Sequence, residues 1–190
     1  SMNKKKIKKS DLINMVGGNY RMGEIEAAIG IEQLKILKER FKSRNNIAKK
    51  IKQGLKDLRG IRLPKIRKSC THSFYVFPIA LDLKLLNVSR NEIYKALLGE
   101  GLECVSEGYT NLHLLPIFQK KIAYGKFGFP WKIGNYESDI NYKKGICPVA
   151  EKLHDKNFLM LELCMHEFSD QEIKLLINVF KKVWFNLISK

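Results

Sequence analysis

Two Cys-x-His pairs stand out among the reactive side chains, Cys70-Thr71-His72 and Cys164-Met165-His166. Each adjoins a predicted strand, where residues i and i+2 point the same way, so each pair offers two ligands on one face. Four such ligands in a tetrahedron could hold zinc, but zinc sites favour Cys-x2–4-Cys knuckles. Packed thiols and edge histidines account for the same residues, and no metal is expected. Cys147 and His154 offer a thiol and an imidazole, the elements of a nucleophilic pair, yet spacing alone does not bring them together. Gly17-Gly18-Asn19 precedes a helical pattern, where free backbone N–H groups and the helix dipole suit an anion. Neither a Walker nor a dinucleotide glycine pattern is complete, so by itself this segment reads as a turn and a cap.

Charge suggests a second kind of chemistry. The 190 residues hold 35 Lys and Arg against 19 Asp and Glu, a net charge of +16. Residues 1–68 alone hold 20 basic and 6 acidic side chains. Clustered Lys and Arg are the footprint of phosphate binding. Here they lie opposite an orderly apolar stripe, with almost no aromatic interleaving and no zinc-finger, homeodomain or RNA-recognition signature. A solvated helix face explains such a run, and nucleic acid is not an expected partner. No apolar run approaches the roughly 18 residues of a membrane span. The opening Ser1-Met2-Asn3-Lys4-Lys5-Lys6 lacks the apolar segment of a signal peptide. The four cysteines are widely spread in a chain too large to need staples. A soluble cytoplasmic protein with reduced thiols is the expectation, with no membrane partner. Ser1-Met2 reads as the scar of a removed tag, so the chain is expected to be a fragment.

These residues need elements to position them. After Gly17-Gly18-Asn19, the residues Leu34, Leu37, Phe41, Ala48, Ile51, Leu55 and Leu58 recur at helical steps, with Gly60 and Pro64 ending the pattern. A helix of about 35 residues runs roughly 50 Å, too long for a small domain to cover. Gly54 is a soft spot in it, costing about 1 kcal/mol relative to alanine. Phe74 to Leu81 reads as a buried strand that Pro78 places at an edge or a bend. Ser89-Arg90-Asn91-Glu92 is a capping box opening a helix over 89–99, and Ser169-Asp170-Gln171-Glu172 opens a terminal helix. Strands are predicted over 102–106 and 160–165, and a short helix from Ile146. Residues 107–145 show no sustained period and read as a long functional or mobile loop. The expected fold class is α/β, more narrowly a small α+β domain: a long N-terminal helix, then a small, mainly antiparallel sheet packed with helices.

One segment carries a resemblance. Gly17-Gly18-Asn19-Tyr20-Arg21-Met22, with Glu24, Ala27-Ala28, Gly30 and Gln33-Leu34, resembles the G-x-N-x-R-M-x-E-x-x-A-A-x-G-x-x-Q-L segment of the DegT/DnrJ/EryC1/StrS family of pyridoxal-phosphate-dependent sugar aminotransferases. Family order continues through Arg44 and Ala48, His72 to Ile79, Ser89-Arg90, Leu112-His113-Leu114 with Pro116, and Pro148 with Ala150-Glu151. The resemblance covers about residues 12–188 and implies the C-terminal domain of a fold-type I aminotransferase. It divides the chain into a basic leader at 1–16, a cofactor-phosphate segment with the bridging helix at 17–60, and a small C-terminal domain at 61–190.

The same resemblance implies residue roles. Asn19 matches the asparagine that reaches the cofactor phosphate of a neighbouring subunit, and Arg21 lies beside it. His113 and Tyr109 fall where family members approach the sugar nucleotide, although Thr110-Asn111 replace the usual prolines. The aromatic residue on the pyridine ring, the acid at its nitrogen and the Ser-x-x-x-Lys lysine all belong to the family's large N-terminal domain, and no residue before Gly17 matches them. No catalytic residue is therefore assigned, and the chain alone is expected to be inactive. The implied cofactor is pyridoxal phosphate. The implied partners are the missing large domain, a second copy in a homodimer, a nucleotide-linked keto sugar, and glutamate or glutamine as amino donor. A sugar dehydratase of the same fold, a basic binding module and a structural zinc protein are the alternatives.

Overall fold

The computed structural model describes residues 20–124, 127–165 and 167–188. Asn19, the basic leader and His166 lie outside the described residues. By its contacts the chain falls into two units, residues 1–38 and 39–190. The long helix α1, Glu24–Leu55, belongs to both and starts later than the sequence pattern suggests. In the first unit most of its residues are exposed, Ile25, Ile29, Leu34 and Leu37 among them, and Lys35 pairs with Glu32 one turn before it.

The second unit is built on an antiparallel sheet of order β1-β2-β6-β3. Its strands are β1 (Ile61–Arg62), β2 (Phe77–Leu81), β3 (Val105–Ser106) and β6 (Phe158–Leu161), with a separate hairpin β4 (Lys132–Ile133) and β5 (Tyr136–Glu137). Helices α2 (Leu83–Leu86), α3 (Arg90–Gly99), α4 (Pro116–Gln119), α5 (Pro148–Lys152) and α6 (Asp170–Ile188) connect them. Register places Phe77 opposite Leu161 and Ile79 opposite Leu159, with Val105 opposite Leu161 from the other side. Alternation therefore sends these side chains to one face. There they join Ile51 and Leu55 of α1, Ile93 and Leu97 of α3, and Leu176 and Phe180 of α6 in the core. The opposite face carries Pro78, Ala80 and Phe158, which line a groove with Val149 and Leu153 near α5.

Both capping boxes form. The Glu92 carboxylate accepts from the Ser89 N–H at 2.8 Å while the Glu92 N–H donates to Ser89 Oγ at 3.2 Å. Ser169 and Glu172 repeat the arrangement at the start of α6. The strands are shorter than their apolar runs. Phe74 takes a positive φ of 47° and its N–H donates to His72 Nδ1, which keeps the chain out of the sheet until Phe77. The 102–106 run pairs only at Val105–Ser106, and the last strand starts two residues and ends four residues earlier than predicted.

Pro78 corrects another expectation, since β2 is an interior strand in the sheet order. The reason such a residue is tolerated is local. The two-residue β1 reaches only Ala80 and Leu81, so at Pro78 that side of β2 has no ladder partner, and the missing N–H deprives no bond there.

Gly54 is a point of close approach rather than a soft spot. A Cβ there would lie 2.5–2.8 Å from three atoms of Ile177 on α6, including both branches of its stiff side chain. Gly54→Ala should gain about 1 kcal/mol of helix propensity and lose more to overpacking, a net loss on the order of 1 kcal/mol. Urea unfolding monitored by circular dichroism checks the sign, and a higher midpoint for the variant would contradict this packing.

Candidate functional site

The 107–145 segment, which shows no sustained period in the sequence, holds short helical turns and the β4–β5 hairpin. Its aromatic residues build a cluster of their own. The Trp131 indole donates to the Tyr142 hydroxyl at 2.9 Å, and Phe118 meets the Trp131 ring edge-on at 6.1 Å. Gln119 donates to the carbonyls of His113 and Tyr142, both at 2.7 Å, and Lys121 Nζ donates to the Ser138 carbonyl at 2.9 Å. Irregular backbone of this kind is held by side-chain donors spread along the chain, which leave no periodic trace.

Two carboxylates from the α5 region fasten this segment. Glu151, on α5, faces His113 Nε2 at 2.9 Å and accepts the Gly145 N–H on both oxygens at 2.7 and 2.9 Å. The Cys147 N–H adds a bond of 3.2 Å. Asp155 accepts from the Asn111 amide at 3.0 Å and from Lys144 Nζ at 2.8 Å. Asn111 and Glu151 are both buried, and the His113 side chain is only 11% exposed. His113 is thus an internal residue of the clasp, joined to a partner 38 positions away.

The electrostatics follow from these partners. Burial pushes the Glu151 carboxyl up, but the Gly145, Cys147 and His113 bonds outweigh it and hold the group below the usual glutamate value. The Lys144 ammonium beside Asp155 holds that carboxyl low as well. A depressed folded-state pKa contributes stability above the unfolded value, which is lost as pH falls through the folded one. On acidification the Gly145 amide resonance should therefore move with a midpoint below the ordinary glutamate range. A midpoint within that range would contradict the clasp.

Tyr109 lies after the turn at Gly108 and is exposed, and its hydroxyl is 2.6 Å from that of Tyr75. The Tyr109 bond raises the Tyr75 pKa. Sequence reasoning missed Tyr75, which looked like a strand residue. It also left Glu151 and Arg90 as family landmarks without a role. Arg90 donates to the His154 carbonyl and pairs with Glu107 at 2.9 Å. Cys147 and His154 make no bond with each other. His72 is spent on the Phe74 N–H and packs against the Phe74 ring, while the Cys104 thiol is buried, which pushes its pKa up to about 11. Among the described residues no cluster of three or more metal-ligating side chains occurs, and no helix is long and apolar enough to cross a membrane.

Arg21 belongs to the other unit. Its side chain is exposed and makes no hydrogen bond or ion pair among the described residues. Five guanidinium donors beside the start of α1 suit a phosphate group, whereas Glu24 and Glu26 in the first turn restrict that chemistry to the residues before them. A guanidinium is chemically suited to a phosphate such as that of pyridoxal phosphate.

A long leading helix followed by a small antiparallel sheet packed with helices is the α/β arrangement of the solved aminotransferase structures that the chain matches. The chain belongs to the DegT/DnrJ/EryC1/StrS aminotransferase family, whose model matches residues 1–180. An uncharacterized protein of Methanocaldococcus jannaschii is 29% identical over 143 residues, covering 75% of this chain and 36% of that protein. The dTDP-4-amino-4,6-dideoxy-D-glucose transaminase of Shigella dysenteriae is 28% identical over 116 residues, covering 60% and 30% respectively. The solved structure of S. venezuelae DesV superposes with a TM-score of 0.66 at 20% identity, covering 95% of this chain and 41% of that one. The chain thus spans between 30 and 39% of the length of the curated relatives it matches.

Proposed function

We propose that this chain is the C-terminal portion of a pyridoxal-phosphate-dependent enzyme that transfers an amino group from glutamate or glutamine to a nucleotide-linked keto sugar. Family membership carries the reading, and a Shigella relative named as a dTDP-sugar transaminase supports the substrate class. The division at 1–16, 17–60 and 61–190 stands as part of the same proposal, as does pairing with a large domain and a second copy. When bound, the cofactor supplies the electron sink for amino transfer. Arg21 and Asn19 hold its phosphate by charge-assisted and neutral hydrogen bonds. Tyr109 and His113 meet the sugar nucleotide, one from an exposed turn and the other from the buried clasp.

With pyridoxal phosphate, glutamate and a dTDP-linked 4-keto sugar, the chain alone should form no amino sugar. Joined to a large domain bearing the cofactor-bonding lysine, it should form one. There Arg21→Ala should raise the cofactor concentration needed by about 10-fold or more, since a charged hydrogen bond contributes about 1.5–3 kcal/mol. Turnover by the chain alone, or loss of water from the sugar without amino transfer, would overturn the reading.

A further inference from the structure

Glu151 has more partners than a residue in one turn of helix requires. It is 7% exposed, and its oxygens receive Gly145 and Cys147 backbone N–H groups besides facing the imidazole of His113. Those bonds favour the ionised carboxylate, which accepts hydrogen bonds and has no hydrogen to give. The hydrogen in the 2.9 Å contact with His113 must then sit on Nε2. A neutral imidazole carries one N–H, so its other nitrogen, Nδ1, is left as a bare acceptor.

We infer that Glu151 is a positioning residue that locks His113 as the Nε2–H tautomer. With its imidazole neutral, His113 then meets a substrate hydroxyl or N–H through Nδ1 and does not donate to a substrate phosphate. The substrate part rests on the reading of His113 given under Proposed function; the lock itself does not. The chemistry resembles that of metal-bound histidines, whose second nitrogen is fixed by a carboxylate so that the first faces its target in one state. A purely structural Glu151, present only to hold the Gly145 and Cys147 backbone, would leave the His113 tautomer free.

The test is a long-range proton–nitrogen correlation spectrum of the 15N-labelled chain, recorded with the imidazoles neutral. His113→Gln identifies the ring among the 4 histidines. The wild-type ring should show a protonated Nε2 and a bare Nδ1. Glu151→Gln keeps the size and one acceptor oxygen, but its NH2 can face the ring as a donor. In that variant the hydrogen should move to Nδ1, wholly or in part. A wild-type ring that is Nδ1–H or an even mixture overturns the inference, as does a folded Glu151→Gln chain with an unchanged ring. The wild-type spectrum decides alone if the variant does not fold. Adding dTDP-glucose and, separately, inorganic pyrophosphate to the chain joined to a large domain divides the two readings. An Nδ1 shift with the nucleotide sugar alone supports both. A response to pyrophosphate overturns the acceptor role. A locked ring that ignores both ligands supports the lock and removes His113 from the substrate site.

Discussion

Phe180→Ala should destabilise the protein by about 3–5 kcal/mol, the range for removing a fully buried aromatic side chain. Phe180 has no exposed surface and stacks on Trp184 with centroids 5.9 Å apart. It lies where α6 meets the core shared with Ile51, Leu55, Leu97 and the inner sheet face. Whole-domain stabilities are about 5–15 kcal/mol, so this one change removes a large fraction of the total. For a chain of this size each kcal/mol moves the melting temperature by roughly 2–4 °C, giving an expected drop of about 6–20 °C. Thermal unfolding by circular dichroism reads it directly. A drop of a degree or two would mean that α6 is not packed as described.

Gly60→Ala ranks second, for a different reason. Gly60 has φ of +72°, and its carbonyl accepts the Asp82 N–H at 2.8 Å, which ties the end of the α1 connection to the end of β2. An alanine pays for left-handed backbone, about 1–2 kcal/mol. Its Cβ would also lie 2.4 Å from Cδ2 and 2.6 Å from Cγ of Leu86, which is 2% exposed. Overpacking adds about 1–3 kcal/mol, for a total of about 2–5. A double-mutant cycle with Leu86→Ala separates the two terms. The pair should show favourable coupling, because the smaller Leu86 substitute admits the new methyl while the backbone cost remains. Additive losses would mean that the Leu86 contact is not the source of the strain.

What could be read beforehand was what neighbouring residues decide among themselves. Ser89 with Glu92, and Ser169 with Glu172, are three apart, so type and spacing alone specify the cap. The terminal helix and the buried part of α1 follow from periodicity for the same reason. The strand limits did not, because β propensity in Phe74-Tyr75-Val76 is overruled by the turn at His72 and Phe74. Pro78 misled because its effect depends on how far β1 reaches, a property of another segment. The candidate site shows the same division. Family motifs pointed to Arg21, Tyr109 and His113 by position. They could not show that His113 is buried against Glu151, or that Tyr75 meets Tyr109, since those partners lie 38 and 34 positions away.

The polar clasp also sets how this protein fluctuates. The aromatic cluster around Trp131 is fastened through Glu151 and Asp155 and contributes no residue to the main apolar core. Such a region forms a cooperative unit that opens at less than the free energy of global unfolding. Amide exchange should therefore divide the protein in two, with Leu159 and Leu161 of β6 protected to the limit of whole-chain stability and Lys132 and Ser138 exchanging through a cheaper, separate opening.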